Sequence, residues 1–391
     1  MGMAALFVAT AWGWDERGPE GVATGRVVAV SDRFVAATPD GAGVDWTASF
    51  RTPSADLGFV ARETARELRE QRAEGTPLAQ AGMFAELGYD LDDVLATLDL
   101  VARVADEDRG AAHKRLEDPA WVRSTFDVVR WLPDRGAAAE RKIKLDGDEL
   151  RLTKYLVYQV DGSATRVEPY TTALYALPND ERTGSVACEG PTSPCNRFQY
   201  DRIQIYGGIY EPGGAAAGQA EPVVWLTRAA ANQAQMQGSI EVATGRTSMG
   251  DGRTRMFNVH ENNGIPYDPH QKNGDLQRRF WYFREVEGIL GVEQIPLRPG
   301  AAVAGDIWNV GLGKIVALEW AGATGPEVHL VVLADTGGAF QPNLFQLDWL
   351  AGAFPSHDAF EAWERTMPSR VRASVLLRKE TGTTGDRSGQ E

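Results

Sequence analysis

The chain contains 391 residues, of which 43% are hydrophobic and 11 are tryptophan, and this composition is typical of a folded protein long enough for two domains. Its net charge of −14 argues against nucleic acid and against an anionic membrane surface as binding partners. A neutral or mixed-charge polymer such as a glycan is compatible with that charge. We expect most of the tryptophans in the core, although sugars also stack on such rings.

Three helices are predicted in the N-terminal part of the chain. The first is capped at Pro53-Ser54 and ends at Gly75. The second begins near Asp90, and the third has Asp118 as its cap. Their apolar faces consist of Leu57, Val60, Thr64 and Leu68, then Leu91, Val94, Leu95, Leu98, Val101 and Val104, and then Trp121, Val122, Phe126 and Val129. These helices form a scaffold, and we assign no chemistry to them.

From residue 150 onward the hydrophobic pattern changes from a helical period to short strands separated by Gly, Pro and Asn turns. The predicted strands are residues 26–30, 34–35, 152–160, 223–226, 240–243, 256–259, 280–286, 315–320, 328–333 and 371–377. One late helix is predicted over 356–365, and the polar tail is expected to be disordered. These elements predict a mainly β protein with N-terminal helices, of the α+β type, with a barrel-like sheet.

The two cysteines, Cys188 and Cys195, flank a short loop rich in Pro and Gly. A disulfide closing this loop would indicate an oxidising compartment, and two unlinked thiols are the alternative. The five histidines are scattered without ligand spacing, so we expect no metal site and no cofactor. No stretch is long enough to span a membrane. The apolar run from Met3 to Trp14 fits either a first strand or part of a secretion signal.

The candidate chemistry centres on the run from Ala334 to Phe340 (Ala-Asp-Thr-Gly-Gly-Ala-Phe), which follows an apolar strand. Asp335 ends that strand, and Asp348 follows after a loop that two glycines allow to fold back. Asp306 is a third acid at the edge of an apolar segment. Carboxylates gathered in one dry cleft repel one another, so at least one should keep its proton near neutral pH and act as a general acid.

Each of these acids also has a simpler interpretation. An aspartate at the end of a strand can cap backbone amides in a turn, and for Asp306 both interpretations stay open. The triplet that begins at Asp335 is also similar to the motif of aspartic proteases. Those enzymes need two copies of the motif, and this chain has one.

Two polar runs are candidates for carbohydrate contacts. They are residues 236–239 (Met-Gln-Gly-Ser) and 262–267 (Asn-Asn-Gly-Ile-Pro-Tyr). Amides and hydroxyls exchange hydrogen bonds with sugar hydroxyls, and a tyrosine ring offers a stacking face. A polar hairpin loop is the alternative, because Asn-Gly commonly forms a tight turn.

Taken together, these motifs resemble the lytic murein transglycosylase A family, whose C-terminal segment carries three aspartates. The resembling segments follow one another in the family's order. They are residues 102–131, 152–155 (Leu-Thr-Lys-Tyr), 174–178 (Leu-Tyr-Ala-Leu-Pro), 223–226, 236–239, 263–267, 281–284 through 297–300 with Asp306, 335–339 and Asp348. Any one of these motifs is weak, whereas the ordered set is specific.

The resemblance implies a double-psi β-barrel with an inserted second β-rich domain and a groove between them for a glycan strand. Residues 1–50 would form an N-terminal extension. Residues 51–160 and 269–378 would form the helical region and the catalytic barrel. The inserted glycan-groove domain would span 161–268, and residues 379–391 would be a disordered tail.

The resemblance also implies a lyase that cleaves the MurNAc–GlcNAc bond of peptidoglycan without water and forms 1,6-anhydroMurNAc. Asp348 matches the single catalytic acid/base, and Asp335 and Asp306 would polarise and orient it. The substrate supplies its own nucleophile, the C6 hydroxyl, so one carboxylate suffices. The implied glycan contacts are Gln237, Gly238, Ser239, Asn263, Gly264, Tyr267, Thr153, Tyr155, Thr336, Gly337 and Gly338.

The chain departs from the family pattern mainly along the implied groove. Lys154 stands where the family has Gly, Ile240 replaces the last Gly of Gln-Gly-Ser-Gly, and Gln341 stands where a basic residue is usual. A protein of the same fold that holds peptidoglycan without cutting it is therefore the alternative. Either protein would act in the cell envelope, in the periplasm or at the outer membrane. It would be a monomer that binds glycan strands, with no membrane span and no nucleic acid.

Overall fold

The computed structural model describes residues 34–36, 44–145, 147–186, 188, 190–243, 254–268, 270–337, 340 and 342–379. The strands are β1 (Phe34–Ala36), β2 (Ser49–Phe50), β3 (Phe126–Trp131), β4 (Leu150–Asp161), β5 (Thr172–Tyr175), β6 (Pro222–Leu226), β7 (Ser239–Ala243), β8 (Thr254–Asn262), β9 (Trp281–Val286), β10 (Ile289–Leu290), β11 (Pro296–Leu297), β12 (Ala302–Ala304), β13 (Ile315–Gly322), β14 (Gly325–Asp335), β15 (Gln346–Phe354) and β16 (Arg370–Arg378). The α-helices are α1 (Ser54–Glu74), α2 (Leu91–Glu107), α3 (Pro119–Thr125), α4 (Arg135–Glu140), α5 (Asn179–Arg182), α6 (Arg202–Tyr206), α7 (Arg228–Gln237), α8 (Ile307–Val310) and α9 (His357–Glu364).

The described chain forms two compact units. One contains Val157–Ile289 and Ala353–Phe360, and the other contains the described residues of 34–156, 290–352 and 361–379. The predicted strand at 26–30, most of the predicted N-terminal extension and residues 380–391 of the predicted tail lie outside the described residues. Among the described helices, none is both long and apolar enough to cross a bilayer.

Six strands of the second of these units close into a barrel. Their order is β16, β13, β14, β12, β15 and β4, and the first residues of β4 pair back to β16. The short strand β12 lies parallel to β14 and antiparallel to β15. Because every barrel strand has two neighbours, the barrel has no open edge. Its core is made of fully buried side chains that include Ile315, Leu330, Val332, Leu347 and Val375.

Two helices pack together beside the barrel strands of the same unit. Asp90 caps α2 through a capping box, in which it accepts from the amide of Asp93 at 3.0 Å and donates its own amide to Asp93 at 2.9 Å. Gly58 of α1 lies so close to α2 that a Cβ there would sit 2.3 Å from the Cβ of Ala105. A glycine at this position therefore lets the two helices approach.

The predicted helices at 54–74 and from residue 91 are confirmed, and two details of the prediction are wrong. Ser54 is not an N-cap, because its hydroxyl donates to Glu117 at 2.9 Å and α1 has no side-chain cap. The third helix ends at Thr125, so Phe126 and Val129 belong to strand β3, which pairs with β16. Pairing with a distant strand outweighs the local helical pattern there.

The unit that contains Val157–Ile289 is also rich in strands. The last residues of β4 pair with β7, and β7, β8 and β9 form an antiparallel succession. Strands β5 and β6 form a separate pair. Two apolar clusters fill this unit, one around Leu226, Phe257 and Phe283, and one of aromatic rings in which the Tyr210 and Tyr282 hydroxyls lie 2.7 Å apart.

A disulfide joins Cys188 and Cys195, whose Cα atoms are 5.8 Å apart. The segment that follows it is held by Arg197, a buried guanidinium that donates to Glu181 at 2.9 Å and to the Asn262 carbonyl oxygen at 2.8 Å. These contacts tie the disulfide loop to the polar run that begins at residue 262.

Candidate active site

Strand β12 places two of the three predicted acids next to each other in the barrel. Ala304 is the register partner of Asp335 on β14 and of Asp348 on β15. A bulge produces the first of these pairings, because β14 skips Ala334 between the partners of Val303 and Ala304. Register partners point to the same side of a sheet, so both carboxyls project beside the small Ala304 side chain.

Asp335 is a buried carboxyl with three hydrogen-bond donors. The amides of Val292 and Thr336 donate to its Oδ1 at 3.1 and 2.9 Å. The hydroxyl of Tyr155, on β4, donates to its Oδ2 at 2.9 Å. The Asp335 side chain is only 2% exposed, and these donors replace the water that it loses on burial.

Asp348 is equally buried and has far fewer partners. Its side chain is 2% exposed, and its Oδ1 has no hydrogen-bond partner among the described residues. The Thr153 hydroxyl lies beside it, anchored on the Leu347 carbonyl oxygen at 3.2 Å. A buried carboxyl oxygen without a donor is costly when the group is ionised, which favours the protonated form.

Both carboxyls hold protons more tightly than an ordinary aspartate. Burial raises the pKa of Asp335 to about 7 and the pKa of Asp348 to about 7. The charge of Asp348 adds to the rise at Asp335, so the two groups titrate as a coupled pair. The three donors of Asp335 favour its ionised form and oppose the effect of burial, whereas Oδ1 of Asp348 has no such donor among the described residues.

Three further charged groups act on Asp348. The cations of Lys154 and Arg151, both on β4, lower its pKa, and Glu364 at the end of α9 raises it. Lys154 itself donates to the Leu152 carbonyl oxygen at 3.2 Å and to that of Pro368. Burial lowers the pKa of the Lys154 ammonium.

Asp306, the third predicted acid, is the N-cap of helix α8. Its Oδ1 accepts from the Asn309 amide at 3.0 Å. Its Oδ2 accepts from the Asn309 side chain at 2.7 Å and from the Asn343 amide at 2.9 Å. Although burial raises the pKa of Asp306, both oxygens are engaged by the fold. The structure therefore gives Asp306 a capping role near the acid pair, two residues after Ala304.

The remaining predicted contacts of the barrel lie around the acid pair. Thr153 accepts from Gln346 at 2.9 Å, and Thr336 donates its hydroxyl to the Gly305 carbonyl oxygen at 2.8 Å. Gly337 accepts a backbone hydrogen bond from the Phe340 amide at 2.9 Å. Gly338 lies outside the described residues.

The predicted contacts in the other unit are mostly engaged by its own fold. Gln237 ends α7, and Gly238 is its left-handed C-cap. The buried Ser239 hydroxyl accepts from the Asn258 side chain at 2.8 Å. Residues 236–239 thus form a helix end and a strand start, where the sequence suggested a polar loop as the alternative.

Asn263 is buried inside the unit that contains Val157–Ile289 and forms hydrogen bonds there. Its side chain is 2% exposed and donates to the carbonyl oxygens of Tyr200 and Arg278 at 3.0 and 3.1 Å, and it accepts from the Phe280 amide at 2.9 Å. Gly264 has a positive φ of 69°, and a Cβ there would lie 3.0 Å from the ring of Pro191 and from Phe198. Tyr267 is half-buried, with the Arg279 guanidinium 5.0 Å from its ring.

Sequence reasoning missed the backbone donor at Val292. The two residues after it, Glu293 and Gln294, adopt positive φ values of 49° and 62°, which place the chain in a left-handed turn. Such conformations are unfavourable for side chains other than Gly and are retained where the surroundings require them. The run Val292-Glu293-Gln294 carries no glycine or asparagine that would have signalled the turn.

The described residues contain no group of three potential metal ligands. A protonated carboxyl beside a charged carboxylate is an arrangement that can donate a proton.

Solved structures of several lytic transglycosylases have a similar fold. MltA from Neisseria gonorrhoeae has a TM-score of 0.56 at 14% identity, over 96% of this chain and 98% of that one. A membrane-bound lytic murein transglycosylase from Agrobacterium tumefaciens has a TM-score of 0.53 at 16% identity, over 88% and 97% of the two chains. MltA from E. coli with bound chitohexaose has a TM-score of 0.52 at 15% identity, over 94% and 99%.

These similarities confirm the predicted fold, a double-psi β-barrel accompanied by a second β-rich unit, and the predicted resemblance at the level of that fold. No family model matches the sequence, and no curated protein matches it. The low identities agree with a divergent chain.

Proposed function

We propose that this protein is a lytic transglycosylase that cleaves the MurNAc–GlcNAc bond of peptidoglycan. The observation that carries the proposal is the buried acid pair, in which Asp348 has an oxygen without a donor and Asp335 has three donors. The shared fold supports it, and so does the oligosaccharide bound by the E. coli neighbour.

In this mechanism Asp348 is the single general acid and base. The Asp348 carboxylic acid gives its proton to the glycosidic oxygen as the bond from that oxygen to C1 of MurNAc breaks. The resulting carboxylate then takes the proton of the C6 hydroxyl, and the C6 oxygen bonds to C1. The products are a free 4-hydroxyl and a 1,6-anhydro ring, no water is consumed, and Asp348 is protonated again.

Asp335 acts in this proposal as the charged neighbour. Its negative charge favours the protonated form of Asp348 and stabilises positive charge that develops on the sugar ring. Asp306 holds the local backbone through α8 and Asn343. We further propose that residues 161–268 form the glycan-groove domain, with contacts among Gln237, Gly238, Ser239, Asn263, Gly264 and Tyr267, and that Thr153, Thr336, Gly337 and Gly338 contact the strand at the barrel.

The test is digestion of purified sacculi followed by mass spectrometry of the soluble products. The proposal expects 1,6-anhydromuropeptides. Reducing-end products would contradict it, because they require water as the nucleophile.

Because peptidoglycan lies in the cell envelope, the proposal places the protein there, in an environment that suits the Cys188–Cys195 disulfide. We also propose that it acts as a monomer.

A non-cleaving peptidoglycan-binding protein is the second candidate. It is favoured by the engagement of Ser239 and Asn263 within the fold, which leaves fewer of the implied glycan contacts available. Sedimentation of the protein with sacculi in the absence of any soluble product would support this candidate.

A further inference from the structure

Tyr155 is the one side chain that donates to Asp335 among the described residues. The other two donors to this carboxyl are the backbone amides of Val292 and Thr336. A backbone amide is present whatever the side chain, whereas the 2.9 Å contact from the Tyr155 hydroxyl depends on the residue type. A substitution at Tyr155 can therefore remove a hydrogen bond to Asp335 without changing the backbone.

The Tyr155 hydroxyl acts only as a donor in this contact. Burial raises the pKa of Tyr155 well above its ordinary value, and the charges of Asp335 and Asp348 raise it further. The phenol therefore keeps its proton throughout the neutral range. A carboxylate accepts a hydrogen bond from this hydroxyl more strongly than a carboxylic acid does. The contact therefore favours the ionised form of Asp335.

The strand that carries Tyr155 is fixed on both sides of the acid pair. Two residues earlier, on the same face of β4, the Thr153 hydroxyl donates to the Leu347 carbonyl oxygen at 3.2 Å and accepts from Gln346 at 2.9 Å. These contacts set the position of β4 against β15 next to Asp348. The Tyr155 ring consequently reaches Asp335 from a strand that is already fixed.

We propose that Tyr155 is a positioning residue that keeps the negative charge on Asp335 and the proton on Asp348, through its hydroxyl contact with Asp335 Oδ2. This inference rests on the proposed function, because it assigns the starting protonation states of that site. It differs from the sugar contact that the resemblance implies for Tyr155.

Removal of the hydroxyl has a defined consequence for both acids. Without it, the pKa of Asp335 rises, because a donor that stabilised its ionised form is lost. Asp335 then carries less charge at neutral pH, and the repulsion that helps Asp348 keep its proton weakens. The pKa of Asp348 falls in response.

The other charged groups around the pair do not change in this variant. Lys154 and Arg151 continue to lower the pKa of Asp348, and Glu364 continues to raise it. The amides of Val292 and Thr336 remain on Asp335. A change in the titration that is absent from a matched control variant therefore reports the hydroxyl.

The primary experiment is a pH titration by NMR of protein labelled with ¹³C at the aspartate carboxyl carbon. Asp335→Asn and Asp348→Asn assign the two signals. We expect Tyr155→Phe to raise the pKa of Asp335 by about one unit and to lower that of Asp348 by a smaller amount. Unchanged values for both carboxyls would overturn the proposal.

Tyr158→Phe is the matched control. Tyr158 lies three residues further along β4 and packs against the apolar cluster that contains Leu226 and Phe257. Loss of its hydroxyl should leave both titrations unchanged. A shift of the same size in Tyr158→Phe would show that the effect is a general loosening of the strand, and would overturn the proposal.

A second variant covers the case in which Tyr155→Phe does not fold. Site-specific incorporation of 3-fluorotyrosine at position 155 keeps the ring and makes the phenol a stronger donor. The pKa of Asp335 should then fall, in the opposite direction to the Phe variant. A rise or no change would contradict the assignment.

Activity separates this inference from the proposed function. If sacculi are cleaved, the acidic limb of the pH profile of kcat/KM should move to higher pH by about one unit in Tyr155→Phe. An activity loss with both carboxyl titrations unchanged would instead make Tyr155 a sugar contact. If no anhydro product forms with the unaltered protein, the proposed function fails, while the NMR titrations still decide whether Tyr155 controls Asp335.

Discussion

Asp306 and Asp348 lie in one barrel and are almost equally buried, with 0% and 2% of their side chains exposed. Asp306 accepts from two amides and one side chain, which fix helix α8 and the segment at Asn343. Asp348 has one oxygen, Oδ1, without a hydrogen-bond partner among the described residues. The first carboxyl is integrated into the fold, and the second is held in a place where ionisation is costly.

If the proposed function holds, this difference separates a structural acid, Asp306, from a catalytic one, Asp348, better than burial does. A carboxylate whose lone pairs are used by backbone donors lowers the free energy of the fold. A buried carboxyl oxygen that lacks a donor raises this free energy, and its retention requires another reason. Asp335 combines features of both acids, because it has three hydrogen-bond donors and also lies beside Asp348.

The largest expected effect is the loss of activity in Asp348→Asn. An amide cannot donate a proton as the acid does, so formation of anhydromuropeptides should fall by about 10²- to 10⁴-fold. The thermal midpoint should not fall, because the amide removes an ionisable group from a buried site. Asp358→Asn, at an exposed position of α9, is the control and should be active. Near-normal cleavage by Asp348→Asn would refute its role.

Asp306→Ala should instead cost stability. It removes a helix cap and leaves the Asn343 amide and the Asn309 side chain without this acceptor, so the free energy of unfolding should fall by about 2–4 kcal/mol. Denaturant unfolding measures this change. Asp306→Asn keeps one acceptor oxygen and should lose roughly half as much. An Asp306→Ala variant as stable as the unaltered protein would remove the contrast with Asp348.

Lys314 tests whether an unpartnered buried group is always functional. Its side chain is 1% exposed, its Nζ has no hydrogen-bond partner among the described residues, and the Nζ lies 5.5 Å from the Phe84 ring. Burial lowers the pKa of Lys314 to about 7. Lys314→Met should stabilise the protein at pH 7 by about 1–3 kcal/mol and leave cleavage unchanged.

The lowered pKa of Lys314 also predicts the direction in which stability changes with pH. A lysine whose pKa is lowered on folding is less protonated in the folded state, so stability should rise between pH 7 and about 10. Lys314→Met should lack that rise in denaturant titrations at several pH values. Loss of cleavage in Lys314→Met, with stability retained, would mean that this lysine too takes part in the chemistry.

The acid pair should also make the stability of the protein depend on pH. Burial raises the pKa of Asp335 and Asp348 from 3.8 to about 7, so the folded state holds protons that the unfolded chain releases. Their contribution to stability is present below pH 4 and is lost as the pH rises toward 7, by at most about 1.4 kcal/mol per pH unit for each group. Asp348→Asn should flatten this decline. An equal decline in the variant would contradict the raised pKa.

The sequence allowed most of the fold to be predicted where local patterns are strong. The apolar stripes of α1 and α2 and the β-branched runs of β13, β14 and β16 were sufficient. Helix α7 was missed because its buried face consists mainly of alanines, which give little hydrophobic contrast. Strand β15 was missed because Gln346 and Asp348 interrupt its apolar pattern.

The sequence indicated the three candidate acids but not the environments of their carboxyls. Asp335 was recognisable because an apolar strand ended in an acid followed by two glycines. Whether a carboxyl receives donors depends on contacts with residues 43 and 180 positions away, as in the bonds from Val292 and Tyr155. The capping role of Asp306 stayed undecided for the same reason, because its Asn343 partner is 37 residues away.

Because of the bulge at Ala334, the side of the sheet on which the Asp335 carboxyl lies depends on the number of residues in β14 as well as on their identity. Neighbouring residues of a strand face opposite sides, so one residue more or fewer before Asp335 would turn its carboxyl away from Asp348. No single substitution could then bring the Asp335 carboxyl back beside Asp348. We therefore expect this segment to tolerate substitutions better than the insertion or deletion of a residue.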